Sequence, residues 1–140
     1  MIERIAHQGK ELAIIIRRSY KAEGISFLTS PDSAMQLGYM NHPAGHRIEP
    51  HVHRKFRREI FTTQEVLIIK SGRLRVDFYC DDKNYLESRE LAAGDLVLLA
   101  SGGHGFEMLE QTEIIEVKQG PYAGDQDKER FHGEWDRSSE

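Results

Sequence analysis

The chain has 140 residues, of which 39% are hydrophobic, enough for one domain with a buried core. Nineteen lysines and arginines stand against 23 aspartates and glutamates, so the net charge of −4 gives no chain-wide basic field toward nucleic acid or a membrane surface. No apolar run approaches the ~20 residues of a spanning helix, the opening residues resemble no signal peptide, and a single cysteine, Cys80, excludes an internal disulfide. These observations predict a cytoplasmic, single-domain protein with neither nucleic acid nor membrane as partner.

In chain order, short apolar runs closed by turn residues predict an all-β chain. The first run is Leu12 to Arg17, followed by Ile25 to Leu28 and a turn at Ser30-Pro31-Asp32. Met35 to Met40 comes next and breaks at Asn41-His42-Pro43-Ala44-Gly45. A histidine-bearing strand follows, then Glu65 to Lys70, a Ser71-Gly72 turn and Arg73 to Tyr79, the clearest hairpin in the chain. Arg73, Arg75 and Asp77 alternate with Leu74, Val76 and Phe78, which predicts one wet face and one core face. Glu87 to Ala93 reads equally as a short helix or an irregular strand. Asp95 to Ala100, Phe106 to Leu109 and Glu113 to Lys118 complete the set. Residues 1–119 are therefore expected to form one domain and 120–140 a polar tail. That tail is either solvated or an arm docking Tyr122, Phe131 and Trp135 on its own barrel or on a partner.

Four of the seven histidines fall within twelve residues: His42, His46, His51 and His53. On a strand, His51 and His53 point the same way, and two imidazoles on one rigid element make half of a metal site. Glu65 shares strand parity with Leu67 and Ile69, and His104 with Phe106 and Met108, so both are expected to face the core. A buried carboxylate and three buried imidazoles are costly unless paired or metal-bound. His42 and His46 flank a Pro-Ala-Gly turn and are expected at the surface.

These residues resemble the cupin family. The family's first motif runs glycine, five residues, His-x-His, then a glutamate, six residues and a glycine. Gly45, His51, His53, Glu65 and Gly72 follow that outline, and Gly94 through His104 follows the second motif. The resemblance spans about Gly45 to Phe106. It implies a double-stranded β-helix, or jelly-roll barrel, with His51, His53, Glu65 and His104 as ligands of one divalent metal ion: zinc, iron, manganese or nickel. The chain departs from the pattern in two places. An insertion, Arg54 to Gln64, separates the halves of motif one, leaving Glu59 as an alternative carboxylate, although Gly72 favours Glu65. In motif two, Ala100 replaces the usual proline and the spacing to His104 is one residue short.

The insertion places Arg54, Lys55, Arg57 and Arg58 within five residues, which reads either as a solvated loop or as a patch for an anionic small-molecule ligand with Arg57 or Arg58 as its clamp. Tyr39 and Tyr79 are candidate site residues by type alone. The resulting expectation is a small metal-dependent enzyme, such as an isomerase or dioxygenase, acting on a polar or anionic metabolite. The Glu116 to Tyr122 stretch loosely resembles cupins linked to surface polysaccharides, and the size and fold resemble those of sugar-nucleotide ketoisomerases without their catalytic histidine pattern. The alternative is a non-catalytic binding or sensing module. Open sheet edges and the apolar run near the N-terminus predict a homodimer.

Overall fold

The computed structural model describes residues 1–133 and shows an antiparallel all-β chain. Its strands are β1 (Ile2–His7), β2 (Lys10–Ile16), β3 (Gly24–Phe27), β4 (Gly38–Asn41), β5 (Glu65–Ser71), β6 (Arg73–Tyr79), β7 (Tyr85–Ala92), β8 (Leu96–Leu99), β9 (Gly103–Met108) and β10 (Glu113–Lys118), followed by one 3-10 turn, Gly124–Asp127. They fall into two compact units, Met1–Tyr20 with Thr63–Glu140, and Lys21–Thr62.

The first unit is a two-layer sandwich. One layer is five-stranded in the order β1-β2-β8-β5-β10, and the other is three-stranded in the order β7-β6-β9. Alternation aims one face of each sheet inward: Leu67 and Ile69 from β5, Leu74, Val76 and Phe78 from β6, Leu91 from β7, and Val97 and Leu99 from β8 share one buried cluster. The β5–β6 hairpin turns on Gly72. Its φ is +86°, and a Cβ there would lie 2.2 Å from the Gln111 carbonyl oxygen, so only glycine fits.

The two strands that sequence reading left out or left open have identifiable reasons. β1 contributes only Ile5 to the core, and it is held by pairing with β2 and by the Gln8-Gly9 turn, where both φ values are positive. Glu87 to Ala92 belongs to β7, whose charged outer face obscures the alternation and whose order comes from pairing with β6, and Ala93 lies in the turn that follows. The face read as wet on β6 is also only partly so. Asp77 is buried, accepting hydrogen bonds from Arg75 Nε at 2.8 Å and Ser88 Oγ at 2.6 Å. Those partners offset the cost of burying a carboxylate.

Part of the tail packs on its own unit. The Phe131 ring meets Tyr79 edge-on at 5.0 Å and lies over Gly103, where a Cβ would approach it to 3.0 Å. Glu129 pairs with Lys83, and Asp127 accepts from Thr63 Oγ1 at 2.5 Å. Tyr122 instead stands in solvent, and Trp135 lies outside the described residues.

The second unit holds the β3–β4 hairpin, in which Phe27 lies against Gly38 and Ile25 faces Met40. The Gln36 amide closes its loop by donating to the carbonyls of Ser30 and Ser33. From His42 to Gln64 there is no strand or helix, and every residue from Pro43 to Thr63 is exposed. The expected histidine strand is thus absent: His51 and His53 lie in an irregular extended segment. Pro43 and Pro50 remove ladder donors, and five lysines and arginines between positions 47 and 58 favour solvent over a sheet interior.

Asp95 fastens the chain before β8 to the end of β2. It accepts from the backbone N–H of Arg18 at 2.8 Å, that of Ala92 at 2.9 Å, and Arg17 Nη1 at 3.3 Å. Asp95→Ala leaves these donors without their acceptor and is expected to lower unfolding stability by about 2–4 kcal/mol in urea titration. The same change at exposed Asp82 is expected to be close to neutral.

Candidate metal and ligand site

Glu65 opens β5, and its parity with Leu67 and Ile69 turns it inward, as expected. Its side chain is only 12% exposed. From the opposing sheet, His104 on β9 reaches across so that Nε2 lies 2.7 Å from Glu65 Oε1. The contact therefore bridges the two layers. His104 stands directly across from Phe78 on β6, and its ring is tilted against Phe106 at 5.4 Å. Phe106 and Met108 share its parity but are 38% and 48% exposed, on the strand that ends its sheet among the described residues.

Two further residues belong to this cluster. Lys118 lies directly opposite Glu65 on β10, and Glu116, two residues earlier, shares its face. The Glu116 carboxyl is within hydrogen-bonding reach of Glu65. The hydrogen bond from His104, aided by the Glu116 proton and by the nearby Lys118 charge, holds the Glu65 carboxyl down at about 2 against the opposing effect of burial. The hydrogen bond to Glu65, with burial and the charge of Glu65 beside it, pushes Glu116 above the ordinary range for a glutamate. Glu65 is thus the ionised member of the pair, and Glu116 the one that retains a proton more readily. Sequence reading placed Glu113 to Lys118 as a strand but did not follow its parity, which sets Glu116 and Lys118 on the same side as half-buried Ile114.

The histidine triplet lies in the other unit. The rings of His51 and His53 meet edge-on, with centroids 5.3 Å apart, so the two imidazoles remain together although no strand aligns them. His51 Nδ1 lies 2.9 Å from the Glu49 carbonyl oxygen. A carbonyl oxygen only accepts, so Nδ1 donates there and Nε2 is the nitrogen turned outward, the orientation a metal-binding imidazole uses. His42 and His46 stack at 4.1 Å across the Pro43-Ala44-Gly45 turn. His46 is exposed as expected, but His42 is only partly so, and its Nε2 is buried without a partner.

Arg57 and Arg58 are exposed, with the Arg58 guanidinium 3.7 Å above the Phe56 ring. Tyr39 is partly buried on β4, across from Ser26. Glu59, the alternative carboxylate, is exposed. The four sequence-selected donors therefore occur as two pairs: His51 with His53 in one unit, and Glu65 with His104 in the other. Among the described residues, no group of three or more His, Cys, Asp or Glu is gathered in metal-holding geometry. Comparison with protein-family models, curated proteins and solved structures gives no match for the chain.

The carboxyl pair has opposite consequences for its two members. Glu65, lowered from the ordinary 4.5, adds stability that is present above pH 4.5 and is lost as the pH falls toward 2. Glu116, raised, favours the folded state most when protonated and loses that advantage as the pH rises through its folded value. Glu65→Gln is therefore expected to lower Tm at pH 7 and flatten the acid limb of the stability curve. Glu116→Gln, which keeps a donor toward Glu65 at every pH, is expected to raise Tm slightly at pH 7 and to converge with the parent at pH 4. The effect is small because Glu116 is exposed.

Proposed function

We propose that the protein is a small cupin-like jelly roll that binds one divalent metal ion through His51, His53, Glu65 and His104, and that it is an enzyme acting on a polar, anionic metabolite. The observation that carries this reading is the Glu65–His104 contact, an ionised carboxylate and an imidazole from opposing sheets brought to 2.7 Å at the end of an apolar core. The donor chemistry fits a cation. A carboxylate held ionised far below neutral pH needs no proton loss to become a ligand, and with Nδ1 directed at the Glu49 carbonyl, Nε2 is the His51 nitrogen left to face a cation.

Zinc, iron, manganese or nickel suits three imidazoles and a carboxylate, and such an ion with open positions polarises a bound oxygen or, when redox-active, supports oxygen chemistry. The chain's own residues supply the remainder. Glu116 is the nearest candidate for holding and passing a proton, because it borders Glu65 and retains its proton more readily than an ordinary glutamate. Arg57 and Arg58 are exposed cations suited to an anionic group, the second resting on the Phe56 ring, and Tyr39 is a further ligand contact in this reading. The open edges of β9 and β10 support a homodimer.

Elemental analysis of the purified, untagged chain after reconstitution tests the metal site. About one equivalent of a transition metal is expected in the parent and in a His42→Ala/His46→Ala variant, with loss in His51→Ala/His104→Ala. Retention in that double variant, or no metal in the parent, overturns the reading. Stoichiometric metal without turnover across polar carboxylates and sugar phosphates would assign the protein instead to the non-catalytic binding class.

A further inference from the structure

Among the described residues the chain returns to no sheet after β10, yet residues 119–131 are tied down at both ends. The Gln119 N–H donates to the Gln64 carbonyl at 3.0 Å. Asp127 accepts from Thr63 Oγ1 at 2.5 Å and lies 4.0 Å from Lys118 Nζ, with its own side chain 16% exposed. At the far end Phe131 meets Tyr79 edge-on and covers Gly103, whose missing Cβ leaves the ring its seat. The Lys83–Glu129 pair is exposed and adds little.

Thr63 and Gln64 lead into β5 and Lys118 ends β10, so one anchor lies on the five-stranded sheet. Tyr79 ends β6 and Gly103 opens β9, so the other lies on the three-stranded sheet. Residues 119–131 therefore cross from one layer to the other. They cross where Glu65 and His104 meet: Glu65 stands opposite Lys118, just past Thr63 and Gln64, and His104 follows Gly103 directly. The 2.7 Å contact and the strap thus span the same gap. β9 is the end strand of its sheet, and Phe106 beyond His104 is 38% exposed, so core packing holds this strand less firmly than β6. A shift of about 1 Å between the layers is enough to break a hydrogen bond of that length.

We propose that residues 119–131 are a positioning strap for the Glu65–His104 pair, anchored at Asp127 on one sheet and at Phe131 on the other. The strap fixes the separation of the layers at this end and so holds the imidazole on the carboxylate. A strap fixed to one sheet alone would leave the gap free, so the role requires both anchors together. Covering Tyr79 would need only Phe131; the Asp127 anchor on the opposite sheet is what makes the stretch a tie between layers. Both anchors act through Glu65 and His104, and neither is a ligand. The Glu65–His104 contact is the whole basis of this role, and the proposed metal ligands enter only in the second measurement below.

Proton exchange at the His104 ring, followed by NMR on the full chain without metal, tests the strap. A carboxylate only accepts, so Nε2–H fills the contact with Glu65 and is expected to be protected in the parent. Phe131→Ala and Asp127→Ala are each expected to speed its exchange about tenfold or more, beyond any change at the amides of Val76 and Leu98, which open only with the whole domain. Phe131→Leu, which keeps an apolar side chain over Gly103, is expected to restore protection. Tyr122→Ala, at a side chain 90% exposed in the same stretch, is expected to leave it unchanged. In zinc titration both anchor variants are expected to bind about tenfold more weakly than the parent, as for other changes behind a metal ligand. A ring proton unprotected in the parent, equal acceleration at ring and core, or a parent rate in Asp127→Ala overturns the strap. A parent that binds no zinc counts against the proposed ligands alone, and the exchange rates still decide the strap.

Discussion

A carboxylate and an imidazole at the end of an apolar core must satisfy one another or a shared partner, and the Glu65–His104 contact is where this chain meets that constraint. Leu67, Ile69, Leu74, Val76 and Phe78 fill the space between the two sheets, and the same strand parity that buries them turns Glu65 inward. His104 arrives from the other sheet because β9 pairs with β6 and places it opposite Phe78. Packing of the sandwich and chemistry of the site are therefore set by one register. A slip of one residue in β5 or β9 would send the charged groups to solvent and leave the core end open.

The ionisation pattern follows from this placement. Glu65 lies among His104, Lys118 and Glu116, each of which favours its anionic form, and this outweighs its desolvation. Glu116, on the neighbouring edge strand and more exposed, takes the opposite role. The chain thus divides two carboxyls into one anion and one readily protonated group through geometry alone, and such a division is what acid–base or metal chemistry draws on.

Much of the sandwich was legible because burial imposes alternation. The runs from Leu12, Glu65, Arg73, Asp95 and Glu113 all became strands, and the parity argument for Glu65 placed it where the structure has it. Legibility failed where order depends on a neighbour. β1 and β7 carry few core residues and exist through pairing with β2 and β6. The histidine segment failed in the opposite direction: its alternation suggested a strand, but Pro43, Pro50 and the cluster of cations leave it without a ladder. Glu116 and Lys118 belong to no motif, and only the pairing of β10 with β5 sets them beside Glu65. Asp77 shows the converse error, a charged residue read as wet that is buried because Arg75 and Ser88 meet it.

The proposed function names His51, His53, Glu65 and His104 as ligands of one divalent cation. Long-range proton–nitrogen NMR correlations of the histidine rings during zinc titration of the full chain test it most directly. With a single four-donor site, the ring nitrogens of His51, His53 and His104 move together and are complete at one equivalent, while His7 and His132 stay unchanged. Separate midpoints for the two pairs, or a His104 signal indifferent to zinc, would contradict it.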